Sequence, residues 1–274
     1  MPALPNIPVR QKLSICYSTH MSSAIVYEHP LNERIRVFLR LEHFFHNVQF
    51  FLHGTNPVET QAGITALIEI LTVLERTDVR SELLKELDRQ ISGLSKLFDA
   101  PAVDKLRLDA ILEKLSDHIQ QLQEAPSKNL SEVRDLELLN SIRQRAALAG
   151  TCGFDLPAYH YLVNQPTDLR NEYLSRWSSD LSPLKNSIEL LLSMLRSSAL
   201  FDRQIAENGF YQRVLDSQNP CQLLRICMPP NSGVYPEVSG SKHRVNIRFL
   251  TFTEHERAKQ INERQEFDLS CCVI

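Results

Sequence analysis

Glycine is scarce in this chain, eight in 274 residues. Neither G-x-x-x-x-G-K-[ST] nor G-x-G-x-x-G occurs. Loops that cradle phosphates need glycine for close backbone approach, so the sequence argues against nucleotide binding of that kind. G-x-S-x-G and H-E-x-x-H are missing too, which removes the nucleophile elbow and the helical zinc-protease pair. No apolar run approaches the about 18 residues that span a bilayer. Residues 1–20 (MPALPNIPVRQKLSICYSTH) lack the apolar centre of a secretory signal. Cationic excess is absent as well: 30 Lys+Arg stand against 33 Asp+Glu, for a net charge of −3. No global field therefore draws the chain to nucleic acid or anionic lipid, and any basic site must be local. The cysteines Cys16, Cys152, Cys221, Cys227, Cys271 and Cys272 show no C-x-x-C spacing. They read as reduced, mostly buried thiols of a cytosolic protein rather than a zinc site. His43 and His46 have ligand-compatible helical spacing, yet no constellation of further ligands joins them, so they read as surface or half-buried histidines. The expectation is a protein without catalytic residues, metal or cofactor.

What is present is an ordinary globular composition, 43% hydrophobic and 23% charged, on a chain long enough to bury a sizeable core. From residue 31 to about 206 the apolar positions have helical periodicity. Ile35, Phe38, Leu41, Phe45, Val48 and Leu52 form one stripe, with Arg36, Arg40 and His43 on another face. Further helices are predicted over 58–76, 80–98, 103–123, 131–147, 168–179 and 183–206, with TCGFDLPAYHYL as an irregular stretch between two of them. Leu184, Ile188, Leu190, Leu191, Leu192, Met194 and Leu195 cover more than one stripe, which predicts burial on several sides or against a second subunit.

After Asn208-Gly209 the period changes to two. GFYQRVL, QLLRICM, KHRVNIRFLTF and QEFDLSCCV read as strands between Pro-, Gly- and Asn-rich turns, and AIVYEHP near the start is β-prone too. The predicted class is α+β: a helical bundle over 31–206, and a small antiparallel β-sheet domain from 21–30 and 207–274. Residues 1–20 read as a disordered extension, with Met21 as the natural start. The terminal Cys271-Cys272-Val273-Ile274 has the look of a prenylation box, but Phe267, Leu269 and Cys271 continue a core parity and favour a strand.

The strand of most interest lies in SGSKHRVNIRF (239–249). Lys242, Arg244, Asn246 and Arg248 share one parity, and His243, Val245, Ile247 and Phe249 the other. A row of guanidiniums repels itself unless an anion covers it. That anion is either a partner's carboxylate or an internal one, such as Glu266 and Asp268 if their strand is a neighbour. Arg225 projects from its own strand opposite Leu224 and Ile226 and joins the row on parity alone. Such a row also permits nucleic-acid binding, although its parity carries no aromatic to stack bases.

The blocks EHPLNERIRVFLRLE (28–42), RSELLKELDRQ (80–90), SIRQR (141–145), FDLP (154–157), NGFYQ (208–212), LLRI (223–226), YPEVSGSKHRVNIRF (235–249) and FDLSCC (267–272) resemble, in order, those of the ZapD bacterial cell-division proteins. The likeness runs from about Ile25 to Cys272. It implies a cytosolic, non-enzymatic protein that forms a symmetric homodimer and is recruited to the midcell division ring. It further implies binding to the C-terminal tail of the tubulin-like GTPase FtsZ and cross-linking of FtsZ filaments into bundles, with neither membrane nor nucleic acid as partner. The basic surface implicated in that family corresponds here to Arg244 and Arg248 in the β domain and to Arg40 and His160 in the helical domain. A position usually basic in the family is Glu137 here, with Arg134 one turn earlier as a substitute. Read as residues alone, Arg40 can equally pair with Glu33 or Glu42, and His160 can be structural.

Overall fold

Apolar residues at three- and four-residue steps fold as expected into seven of the eight helices among the described residues. The computed structural model describes residues 24–98, 103–124, 133, 136–146, 152–241 and 243–273. The helices are α1 (Glu33–Phe51), α2 (Pro57–Arg76), α3 (Val79–Ser95), α4 (Lys105–Glu124), α5 (Glu137–Ala146), α6 (Pro157–Val163), α7 (Thr167–Ser179) and α8 (Ser182–Ser197). Helices are followed by antiparallel sheets, so the chain is α+β. Two compact units divide it: Glu33–Met194, and the segment ending at Asn32 together with Leu195–Ile274.

In the helical unit, α1 and α2 form the central pair. Leu41, Leu67 and Ile70 are fully buried, with Phe38 and Ile64 nearly so. The start of α2 is written locally. Asn56 Oδ1 accepts from Glu59 N at 3.0 Å, the Glu59 carboxylate accepts from Asn56 N at 3.3 Å, and Pro57 takes the first helical position. By length and hydropathy α2 is the one helix among the described residues that could cross a bilayer, but half of that window is buried inside the fold, as in a core helix. Arg170 on α7 ties this corner together. It is only 3% exposed, and it donates to Thr60 Oγ1 (2.6 Å), Thr55 O (3.0 Å), Gln165 O (2.9 Å) and Thr167 Oγ1 (3.0 Å). No carboxylate pairs with it among the described residues; oxygen dipoles alone hold the charge.

Two expectations change here. The helix expected over 183–206 ends at Ser197, and Asp202–Ala206 is a strand. The apolar stripe of α8 stops at Leu195, and from Asp202 the backbone pairs with a neighbouring strand instead. The stretch expected to be irregular contains α6, which Pro157 starts and whose Tyr159, Leu162 and Val163 are buried.

The β unit contains β1 (Ile25–Pro30), β2 (Asp202–Ala206), β3 (Phe210–Val214), β4 (Leu223–Met228), β5 (Val234–Gly240), β6 (Arg244–Thr251), β7 (Lys259–Gln260) and β8 (Gln265–Cys272). Instead of one sheet there are two antiparallel ones, ordered β1-β4-β8-β2 and β3-β6-β5, with β7 also paired to β6. Their inner faces form one core from Leu224, Ile226, Met228, Phe267 and Leu269 on the first sheet and Val245, Ile247 and Phe249 on the second. The chain passes between sheets at Asn208-Gly209, both at positive φ (52° and 65°), and a Cβ at Gly209 would come within 2.4 Å of Ile261 O. The terminal strand reading holds: β8 runs to Cys272, which is fully buried.

Replacing Arg170 with Met keeps the packing volume but strands the oxygens of Thr55, Thr60 and Gln165. Equilibrium urea unfolding is expected to show a loss of about 2–4 kcal/mol, with far-UV circular dichroism of the folded state unchanged.

Candidate functional site

The core decides which way β6 presents its charges. Val245, Ile247 and Phe249 are fully buried, so Arg244, Asn246 and Arg248 project from the opposite face of the sheet. Register supplies their neighbours. β3 sets Val214, Gln212 and Phe210 opposite Arg244, Asn246 and Arg248, while β5 sets Ser239 opposite Asn246 and Glu237 opposite Arg248. The Gln212 amide donates to Asn246 Oδ1 at 3.0 Å, so these rows share one face. Lys242, expected in the row, lies outside the described residues.

The internal pairing considered for the arginines does not form. β8 is bonded to β2 and β4 in the other sheet, and Glu266 is engaged by Arg203 and, at 3.4 Å, by Arg264. Arg248 instead pairs with Glu237 directly across from it, both side chains being about half exposed (53% and 50%). Arg244 is exposed and makes no ion pair or side-chain hydrogen bond among the described residues. An exposed pair contributes only about 0–1 kcal/mol, so Glu237 holds Arg248 only loosely.

Arg225 is not part of this face. It sits on β4, in the other sheet, where its Nε donates to Glu28 Oε1 at 3.0 Å, its Nη1 donates to Arg196 O at 3.3 Å, and its guanidinium lies 5.0 Å from the Phe201 ring centroid. Arg196 reaches the same carboxylate at 2.7 Å. Shared parity placed Arg225 with the row; membership of a different sheet removes it. Burial pushes the Glu28 carboxyl up, but hydrogen bonding and charge from Arg196, then from Arg225, outweigh it and hold the group below its ordinary 4.5.

In the helical unit, Arg40 is exposed on α1 and lines a groove of about 390 Å³ with Glu33, Glu69, Thr72 and Arg76. It pairs with neither Glu33, which binds Arg36, nor any other described residue. His160 is exposed on α6, its ring so close to Gly153 that a Cβ there would lie 2.8 Å from Nδ1. Glu137 is exposed in the first turn of α5; Arg134 lies outside the described residues. Among the described residues no group of three or more His, Cys, Asp or Glu could hold a metal ion. His46 instead faces Glu189 at 3.7 Å and His43 contacts Asn47 at 3.2 Å.

Sequence reasoning missed two members of the β face, Phe210 (41% exposed) and Val214 (74% exposed), which flank Gln212 beside the arginines. Their parity in GFYQRVL was visible; the pairing partner that puts them beside Arg248 and Arg244 was not. The face thus combines an open guanidinium, a loosely held one and two exposed apolar side chains, a surface suited to an extended segment carrying carboxylates and apolar groups.

Residues 39–248 match the ZapD family, whose description is cell division protein. A cell division protein ZapD of Methylococcus capsulatus is 38% identical over 255 residues, covering 93% of this chain and 100% of the relative. Those of Coxiella burnetii (34% over 257 residues, 93% and 100%) and Pectobacterium carotovorum (38% over 252 residues, 92% and 98%) are similar over comparable lengths.

The locked cluster makes an acid-sensitivity prediction. Because Glu28 is depressed when folded, its contribution is fully present above about pH 4.5 and is lost as pH falls through the lower folded value. A Glu28→Gln chain is expected to be about 1–3 kcal/mol less stable at pH 7. In urea titrations that difference should hold from pH 7 to 5 and shrink below 4.5.

Proposed function

The chain belongs to the ZapD family of cell-division proteins, and from that premise we propose that it binds the C-terminal tail of FtsZ and cross-links FtsZ filaments into bundles at the division septum. The observation that carries this is the exposed pair Arg244 and Arg248, of which one has no internal partner among the described residues and the other only a half-exposed one. Guanidiniums stay charged at every working pH and present a planar fork to a carboxylate. Arg40 and His160 are proposed as further tail contacts from the helical unit. The role is non-enzymatic and needs no cofactor or metal.

Exposed ion pairs are weak and screened by salt, so a single tail binds loosely. Valency makes up the difference. A homodimer presents two sites, a filament offers a tail on every subunit, and the second contact forms at high effective concentration. Two sites on one assembly also join two filaments. The chain acts in the cytoplasm and is drawn to midcell by the filaments themselves.

Co-sedimentation tests this reading. At low salt, full-length FtsZ should pellet with this protein while FtsZ lacking its tail stays in the supernatant, and Arg244→Glu with Arg248→Glu should abolish pelleting. Equal pelleting of tailless FtsZ overturns the docking. Glu237→Gln frees Arg248 and is expected to tighten binding of a labelled tail peptide roughly two- to fivefold. Phe210 supplies beside Arg248 the aromatic that the outward parity of the basic strand lacks, so single-stranded and duplex DNA belong in the same titration. Tighter binding to DNA than to the peptide, with a steep salt slope, would favour a nucleic-acid partner.

A further inference from the structure

The two edges of the β3-β6-β5 sheet are not alike. Along an antiparallel strand, residues alternate between bonding the neighbour and pointing away from it. Leu215 N donates to His243 O at 2.9 Å and Phe249 N to Gly209 O at 2.8 Å, so the odd-numbered residues of the β3 segment bond β6. The N–H and C=O groups of Gln212 and Val214 therefore point outward. No strand, backbone group or side chain among the described residues bonds them. On β5 the phase follows from Ser241 N donating to Arg244 O at 2.9 Å, which turns Pro236, Val238 and Gly240 outward. Pro236 has no N–H to offer, and a proline at this position blunts that edge. β3 carries no proline, lysine or bulge; it is left open.

The side chains at the open edge have a definite chemistry. Phe210 and Val214 stand exposed on either side of Gln212, with Arg248, Asn246 and Arg244 one strand behind. Arg213, on the other parity of β3, is partly exposed and lies near Tyr211. The acids flanking the strand stand beyond its ends: Glu207 precedes it, and Asp216 is occupied with Gln218 N at 2.8 Å and Asn219 at 3.2 Å.

We propose that β3 accepts an extended acidic peptide as an additional strand, and that this is the pose in which the tail of the preceding section docks; the inference rests on that reading. The backbone of the peptide bonds Gln212 and Val214. Its side chains at positions i and i+4 are apolar and cover Phe210 and Val214. The side chain at i+2 is a carboxylate placed beside Gln212, two strands from β6, where the long side chains of Arg244 and Arg248 reach it across β3. Backbone bonds supply affinity that exposed ion pairs lack, and the arginines supply the preference for acid. In this pose the two guanidiniums repel less, because both approach one carboxylate.

Fluorescence anisotropy with the full chain and labelled tail peptide tests the pose. Two N-methylated peptides are compared, each methylated on alternate residues across the acidic stretch, in opposite phase. An added strand uses the N–H groups of only one phase, so one peptide is expected to bind roughly tenfold more weakly and the other like the parent. Gln212→Pro removes the outward donor without touching the β6 ladder and should weaken the parent peptide to a similar degree. Should that variant melt early, the methylated peptides still decide. If both phases bind like the parent while Arg244→Glu with Arg248→Glu still abolishes binding, docking stands and strand addition falls. If the parent peptide itself does not bind, the reading of the preceding section fails and this one with it. If Gln212→Pro halves the mass of the wild-type particle in sedimentation, the edge belongs to a second copy and the proposal is overturned.

Discussion

Burial of Val245, Ile247 and Phe249 is the constraint from which the candidate site follows. In a strand the side-chain period is two, so a one-residue slip would send Arg244 and Arg248 into the core and expose three large apolar groups. Burying a guanidinium without a partner costs several kcal/mol, of order 2–7 for even an uncharged polar group. The register is thus held from within. The outward display of cations on β6 is a consequence of core packing and needs no separate stabilising contact.

The arginines of this chain divide by what surrounds them. Arg170 is enclosed by oxygen atoms in the helical unit, and Arg225 and Arg196 clasp a shared, mostly buried carboxylate in the β unit. These guanidiniums hold the fold together and are not available to a ligand. Arg248 has an acid across the strand, but half of each side chain meets water, and Arg244 is exposed without any partner among the described residues. Chemically alike groups therefore do different work, and burial of the partner acid separates the two kinds. On this reading Glu237 acts as a placeholder, neutralising Arg248 until a competing carboxylate arrives.

Weak individual contacts suit the proposed role of joining polymers. A cross-linker that held each tail tightly would resist remodelling of the filaments, whereas loose, salt-sensitive contacts multiplied along a filament give firm yet exchangeable association. The proposed edge strand adds backbone bonding to the same face. It would let the shape of an extended chain, as well as its charge, contribute to selection.

Much of this was legible in the chain itself. The period of 3.6 marked the helices apart from α6, the period of two marked most strands, and alternation in RVNIRF assigned Arg244 and Arg248 to one face and the core residues to the other, because those periodicities are local properties of the backbone. Strands 202–206 and 234–240 escaped notice: the first follows a helix without a turn signal, and the second carries Pro236, which argues against a strand unless it lies at an edge. Which strands are neighbours is a different kind of question. The division into two sheets removed Arg225 from the cationic row, gave Glu266 to Arg203, set Glu237 against Arg248, and brought Phe210 and Val214 beside the arginines. The sequence by itself determined which face of each strand a side chain takes. Only the tertiary structure decided which side chains meet, because strand pairing joins residues far apart in the chain through backbone bonds that carry no residue-specific mark.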